Sequence, residues 1–369
     1  MNRIRCSNCS RPYPDSGVPY RCPVCYGIYD YSDIWSFDAE KIEPEQQGIW
    51  RYKHTFTLPD EASPVSLSEG NTPLVWSKLF NKDVVFKLEY LNPTGSFKDR
   101  GTAAILSFIK SRDVETVVED SSGNAGASLA AYAARAGIKA RVFIPDTASG
   151  PKKAQIQAYG ADLVKVLGPR TNASRAAITA ADQGVVYASH VYLPHGLPAF
   201  ATIAYEILEQ LNGAPGSIIS PVGHGSLILG VGRGFQALKN AGLIADFPVM
   251  LGVQARVCAP LWALSSYGAS GLNWVTEGKT IAEGIRIQYP IRGDAVLQIV
   301  EKSKGKFLAV DEEDILPGLY QLCRKGFFVE PTSATVWAAL KQIIDDIPEP
   351  IVVILTGSGY KTGIELFTI

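Results

Sequence analysis

Residues Thr116 to Ile144 read TVVEDSSGNAGASLAAYAARAGIKARVFI, and this stretch decides the fold. A short β-branched run is followed by a polar glycine turn, an alanine-rich stretch closed by Gly137, and a second apolar run. That order predicts strand, loop, helix and strand. Working outward, strands are predicted at Thr116 to Glu119, Ala140 to Ile144, Asp162 to Leu167 and Val185 to Ser189, separated by helices at Ala125 to Ala136, Pro151 to Tyr159 and Asn172 to Gln183. Strict alternation of this kind implies a parallel sheet covered on both faces. The pattern resumes with strands at Ser217 to Val222, Val249 to Val253 and Ile351 to Leu355, and with helices at Leu227 to Asn240, Glu312 to Arg324 and Ser333 to Ile344. The expectation is an α/β protein of two open parallel-sheet lobes, with ligands held at the carboxyl ends of the strands.

Composition sets the bounds. The 369 residues are 46% hydrophobic and 19% charged, with 35 basic against 36 acidic side chains and a net charge of -1. These values exclude a disordered or strongly charged chain and argue against a general nucleic-acid or membrane-surface binder. Nowhere does an apolar run approach the length of a membrane span, and no apolar leader precedes the first cysteine, so a cytoplasmic protein is expected.

Cys6 and Cys9 form one Cys-x-x-Cys and Cys22 and Cys25 another. Four thiolates so spaced can close a tetrahedral site, which makes zinc the expected ion, with iron or a redox site as alternatives. Residues 1–30 therefore read as a small zinc-ribbon-like module, 31–64 as a connecting arm, and 65–369 as the catalytic region, with a smaller lobe at about 103–195. A closed four-thiolate site offers no open position to a substrate, so this module is expected to stand apart from the chemistry. Cys258 and Cys323 read as small core hydrophobes.

Asn92-Pro93-Thr94-Gly95-Ser96-Phe97-Lys98-Asp99-Arg100-Gly101 opens a helix. Ser96 and Asp99 have capping-box spacing, which puts Lys98 in the first turn, where a cation opposes the helix dipole. Such a lysine is either a surface cation tolerated at small cost or an amine bonded to a carbonyl cofactor. Three glycine-bearing loops favour the second: Ser121 to Gly126, Gly223 to Leu227 and Thr356 to Gly359 each follow a predicted strand and offer backbone N-H groups to anions. A nicotinamide site fits poorly, because no loop reads Gly-x-Gly-x-x-Gly and the strand at Val249 to Val253 ends in Gln254 rather than an acid.

With these pieces in place, the chain resembles the threonine-synthase-like pyridoxal-phosphate enzymes of the tryptophan-synthase-like fold, fold type II. The matching residues are Glu69-Gly70-Asn71-Thr72-Pro73-Leu74, Lys87-Leu88-Glu89 through Gly101, Ser122-Gly123-Asn124, Glu330-Pro331-Thr332-Ser333-Ala334 and Leu355-Thr356-Gly357. The resemblance implies that Lys98 bonds the cofactor aldehyde, that Phe97 packs by its ring, that Asn124 meets the ring hydroxyl and that Thr356 faces the pyridine nitrogen. It further implies that Gly223, His224, Gly225, Ser226 and Leu227 hold the phosphate, and that Ser121, Ser122, Gly123, Asn124 and Ala125 hold the carboxylate of a small amino-acid substrate. A homodimer is the expected assembly.

Departures from the family pattern bear on the substrate. His224 stands where an asparagine is usual, Ala125 where a threonine is usual, and Tyr192-Leu193-Pro194-His195-Gly196 lacks the arginine that grips the phosphate of phosphohomoserine. His195 and His224 are either substrate contacts or packed side chains. The expected activity is elimination or replacement of the threonine-synthase type. A serine or threonine dehydratase, or a cysteine-synthase-like β-replacement enzyme, is the alternative. A zinc-ribbon binding module on a non-catalytic fold is the reading from another class.

Overall fold

The computed structural model describes residues 3–33, 35–148 and 150–363, so the last residues of the expected catalytic region, 364–369, lie outside the described residues. In the cysteine segment β1 (Ile4–Cys6) pairs antiparallel with β2 (Tyr29–Tyr31). A hairpin of β3 (Leu74–Leu79) and β4 (Lys82–Lys87) follows, then α1 (Lys98–Lys110). The chain continues through β5 (Thr116–Glu119), α2 (Asn124–Ala136), β6 (Lys139–Pro145), α3 (Pro151–Ala158), β7 (Asp162–Val166), α4 (Arg170–Asp182) and β8 (Val186–Tyr187). Next come α5 (Leu197–Leu211), β9 (Ser217–Pro221), α6 (Ser226–Asn240), β10 (Val249–Ala255), α7 (Pro260–Tyr267) and α8 (Gly293–Lys302). The described chain closes with β11 (Lys306–Val310), α9 (Glu312–Arg324), α10 (Pro331–Ile343) and β12 (Ile351–Ile354).

Two compact units result, one of Met1–Gly70 with Lys98–Ala199, the other of Asn71–Phe97 with Phe200–Ile369. The first holds a four-stranded parallel sheet in the order β7-β6-β5-β8. Helix α2 stops at Gly137, whose φ of 76 and N-H bonds to Ala133 and Ala134 make the left-handed C-cap the sequence announced. Ala127, Ala130, Val142, Ile144 and Ile156 form an apolar cluster where α2 and α3 meet the sheet.

The second unit holds a six-stranded sheet in the order β11-β10-β9-β12-β4-β3. Its neighbours pair in parallel except β3, which lies antiparallel on the edge beside β4. The expected wholly parallel lobe thus carries one antiparallel edge strand. Each residue of β9 and β12 is buried, consistent with helices on both faces.

Strand β8 is shorter than the predicted Val185 to Ser189, for a local reason. The Ser189 carbonyl accepts from both the Tyr192 and Leu193 N-H groups, at 3.1 and 2.9 Å, so the chain turns there instead of extending the ladder. Among the described residues no helix is long and apolar enough to cross a membrane.

Candidate active site

Lys98 is the first residue of α1. The capping box does not form, since the Ser96 hydroxyl is buried with no hydrogen-bond partner among the described residues. The turn is held instead by backbone pairing in the second unit: the Phe97 N-H donates to the Thr356 carbonyl at 3.0 Å, and the Ser358 N-H donates to the Gly95 carbonyl at 2.9 Å. The residue preceding Lys98 is therefore tied to Thr356, while the Phe97 ring packs against Phe200 with 5.5 Å between centroids.

In the first unit, Lys98 Nζ lies 2.7 Å from Nε2 of His190. His190 follows β8, and its Nδ1 stands 3.9 Å from the carboxylate of Glu119, the last residue of the neighbouring β5. Burial raises the Glu119 carboxyl well above its usual range, the charge of Asp120 adds to this, and Lys98 and Arg170 oppose it. Glu119 is thereby favoured as a neutral acid beside the imidazole. Residue types alone did not single out His190. The signal available was its place just past the carboxyl end of a parallel strand.

Residues 121–124 are half-buried and Ala125 is buried. The Ser121 hydroxyl accepts from the Gly123 N-H at 3.2 Å. Helix α2 starts at Asn124 with no side chain capping it, so its first turn is of the kind that suits an anion. A Cβ on Gly126 would lie 1.8 Å from the Ser121 carbonyl oxygen, which explains why glycine stands there.

In the second unit, α6 begins after Gly225, whose φ is 85. The loop is wrapped closely: a Cβ on Gly225 would come within 2.5 Å of Val296 Cγ2, and one on Gly223 within 3.1 Å of the Gly284 carbonyl. The Ser226 hydroxyl is buried and has no hydrogen-bond partner among the described residues. An uncapped 15-residue helix with an orphaned hydroxyl at its start is a donor set that fits a phosphate. Ser333 Oγ, fully buried, accepts from the N-H groups of Thr356 and Gly357 at 2.9 and 3.0 Å and lies 3.0 Å from Thr356 Oγ1. With both lone pairs of Ser333 occupied, its own proton is left for Thr356 Oγ1 or for the Gly357 carbonyl at 3.4 Å, and in either case the Thr356 hydroxyl keeps a hydrogen to donate.

Several motif residues prove to be scaffolding. Glu69 accepts from Trp50 Nε1 and Tyr132 Oη, each at 2.7 Å, and from the Leu67 N-H at 2.9 Å. Lys87 Nζ, fully buried, donates to Glu206 at 2.6 Å, to the Thr72 carbonyl at 2.7 Å and to Gln210 at 2.9 Å. Thr72 in turn donates to Glu89 at 2.6 Å. His195 is packed, its ring stacked 3.6 Å from that of Phe108.

The sulfurs of Cys6, Cys9, Cys22 and Cys25 all lie within 4.8 Å of one another, with Cys6 to Cys25 at 3.4 Å and Cys9 to Cys22 at 3.7 Å. A tetrahedron of sulfurs around zinc has an edge of roughly 3.8 Å, so the set fits such an ion. The Asn8 N-H points to Cys6 Sγ at 3.4 Å. Burial raises the Cys22 thiol, but N-H groups of Cys25 and Val24 and the neighbouring sulfurs outweigh it and bring it to about 6. The module touches the rest of its unit, where Arg21 donates to the Tyr192 hydroxyl at 2.7 Å.

Fold and loops together define a pyridoxal-phosphate enzyme, and comparison agrees: the chain belongs to the pyridoxal-phosphate dependent enzyme family, whose profile matches residues 65–357. More particularly, it is 36% identical over 375 residues to the threonine synthase of Methanocaldococcus jannaschii, spanning 97% of this chain and 92% of that one. It is 34% identical over 378 residues to the threonine synthase of Methanosarcina acetivorans, spanning 98% and 92%. Among solved structures, a threonine deaminase from T.th. matches with a TM-score of 0.65 at 27% identity, covering 78% of this chain and 92% of that one. Maize serine racemase, at 22% identity and a TM-score of 0.68 over 80% and 90% of the two chains, shares the fold. The protein is a pyridoxal-phosphate-dependent, threonine-synthase-like lyase.

Proposed function

We propose that the protein carries out elimination or replacement on a small L-amino acid in the manner of a threonine synthase, with Lys98 as the cofactor lysine. The observation that carries this is Lys98 itself, a first-turn cation whose preceding residue is bonded to Thr356 and whose amine meets His190. Bound pyridoxal phosphate supplies an electron sink for bonds at the substrate α-carbon. The remaining work falls to side chains. Gly223, His224, Gly225, Ser226 and Leu227 hold the phosphate, Phe97 packs by the ring, and Asn124 meets its hydroxyl. Ser121, Ser122, Gly123, Asn124 and Ala125 orient the substrate carboxylate. Thr356 offers the ring nitrogen a neutral hydroxyl, which does not fix a proton there as a carboxylate would and so favours expulsion of a leaving group over a long-lived carbanion. The Lys98 amine moves the proton at the α-carbon, with His190 as its neighbouring acceptor.

Borohydride reduction of the holoprotein followed by peptide mapping tests this. The expected label is on Lys98, and a label on another lysine overturns the assignment. A second reading, dehydration or β-replacement with an uncharged leaving group, is favoured by one observation: residues 190–198 contain neither lysine nor arginine. Rates on phosphohomoserine, O-acetylserine, serine and threonine measured side by side choose between the two. A hundredfold advantage for phosphohomoserine selects threonine synthesis.

We also propose that Cys6, Cys9, Cys22 and Cys25 bind one zinc ion, supported by their sulfur spacing. Metal analysis should find one equivalent, and iron in its place would correct it. The same picture includes a cytoplasmic homodimer, and a division into the 1–30 module, the 31–64 arm and the 65–369 catalytic region with its lobe at about 103–195. Sedimentation and limited proteolysis check these.

A further inference from the structure

We propose that the cysteine module is a brace for the turn after β8, setting the position of His190 against Lys98. The proposal rests on Lys98 being the cofactor lysine. The two knuckles enclose a tongue, residues 10–21, that contains no helix and only a single bridge, Pro12 to Arg5. Its ends sit beside the sulfurs of Cys9 and Cys22, and backbone bonds hold its start, from the Cys6 N-H to the Arg11 carbonyl at 2.8 Å and from the Tyr13 N-H to the Ile4 carbonyl at 2.9 Å.

Three side chains of the tongue grip the chain on both sides of His190. Before it, Tyr20 stands edge-on to Tyr187 of β8 at 5.5 Å, and its hydroxyl donates to Asp182 at the end of α4 at 3.2 Å. After it, Tyr20 stands edge-on to Tyr192 at 5.3 Å, and Arg21 donates to the Tyr192 hydroxyl at 2.7 Å while its guanidinium lies 4.9 Å over the same ring. Tyr13 meets His195 edge-on at 5.0 Å. Because Tyr192 also donates its N-H to the Ser189 carbonyl, a shift of Tyr192 is passed to the one-residue-distant start of the turn at His190.

An amine and an imidazole at hydrogen-bond distance lose their coupling when either moves by about an ångström, which costs up to about a hundredfold in rate. Of the groups proposed to hold the cofactor, loop 223–227 and Thr356 belong to the other unit, and the tongue contacts described above involve neither Lys98 nor Asn124. Releasing the tongue should accordingly lower turnover while leaving cofactor content unchanged.

The test uses the holoenzyme and a double-mutant cycle. Arg21→Ala should lower kcat about tenfold with the same pyridoxal phosphate content per chain, His190→Gln should lower it further, and the double variant should be no slower than His190→Gln alone. Losses that multiply in the double variant overturn the brace, as does an unchanged kcat in Arg21→Ala or a parallel loss of cofactor. Should Arg21→Ala not fold, Tyr192→Phe keeps the ring and removes only the hydroxyl. It should lower kcat about threefold, again without effect on top of His190→Gln, and multiplied losses overturn the proposal equally. A mercurial with a chelator, used to strip the cysteines of metal in wild-type holoenzyme, should bring kcat down to the Arg21→Ala level. Unchanged turnover after metal release counts against it. A wild-type protein that carries no pyridoxal phosphate on Lys98 would instead defeat the reading on which the brace depends.

Discussion

Loops 121–125 and 223–227 share one design and differ in what surrounds them. Each follows a parallel strand and each places glycine just before a helix that no side chain caps, a geometry suited to an anion. In the first, Ser121 to Asn124 are half-buried and the Ser121 hydroxyl already accepts from Gly123. In the second, Gly225 to Leu227 are buried and the Ser226 hydroxyl has no partner among the described residues. The first suits a ligand that comes and goes with each turnover, the second a group that stays. On the proposed assignment, the burial of Ser226 against the half-buried Ser121 would separate the cofactor's anion from the substrate's.

The contrast can be broken most severely at Gly126. Alanine there would drive a Cβ into the Ser121 carbonyl oxygen, a backbone atom, so the whole 121–125 loop must shift. We expect kcat/KM to fall by about a hundredfold with cofactor content unchanged, measured by steady-state kinetics and by pyridoxal phosphate released in alkali. Loss of cofactor with KM intact would exchange the roles of the two loops. A smaller effect is expected from Ser226→Ala, which removes a donor to a charged group worth about 1.5 to 3 kcal/mol, and so weakens cofactor binding about ten- to a hundredfold in equilibrium dialysis. Unaltered affinity would remove the phosphate from that loop. Ser121→Ala is the mildest change. It deletes one neutral hydrogen bond of about 1 kcal/mol and should raise KM roughly fivefold without touching cofactor affinity.

The alternating half of the fold was legible because its signals are local. β5 and α9 fall on the residues predicted for them, and most other predicted elements begin or end within two residues of their observed bounds. Strand β3 was not, since its half-exposed residues on a sheet edge show no clean alternation. Helix α5 was also missed, because the prolines and glycine of Pro194-His195-Gly196-Leu197-Pro198 at its start read as a loop. In the candidate site, residue types and spacing singled out the motif loops and Lys98, and the family resemblance alone implied their roles. His190, Ser333 and the Arg21 contact were not singled out, because each acquires meaning only from a partner that lies 23 to 171 residues away. The expected capping box failed for a related reason: Ser96 is held by a bridge to Gly357, a pairing invisible in the local spacing.

The place of β12 bears on how the chain is made. Ile351–Ile354 lies between β9 and β4, pairing with Ser217 to Ile219 on one side and Val84 to Lys87 on the other. During synthesis β4 emerges early and then waits, with one bare edge, for more than two hundred residues to follow. Strand β9, once made, likewise lacks its β12 neighbour for more than a hundred residues. Unpaired strand edges recruit other chains, and pairings this distant form slowly. The sheet of the larger unit therefore cannot be completed before residue 354 is available, whereas the smaller unit has all its strands in hand by residue 187. A nascent chain halted between these two points would carry a finished sheet and an open one, and the open one is where chaperones would be needed.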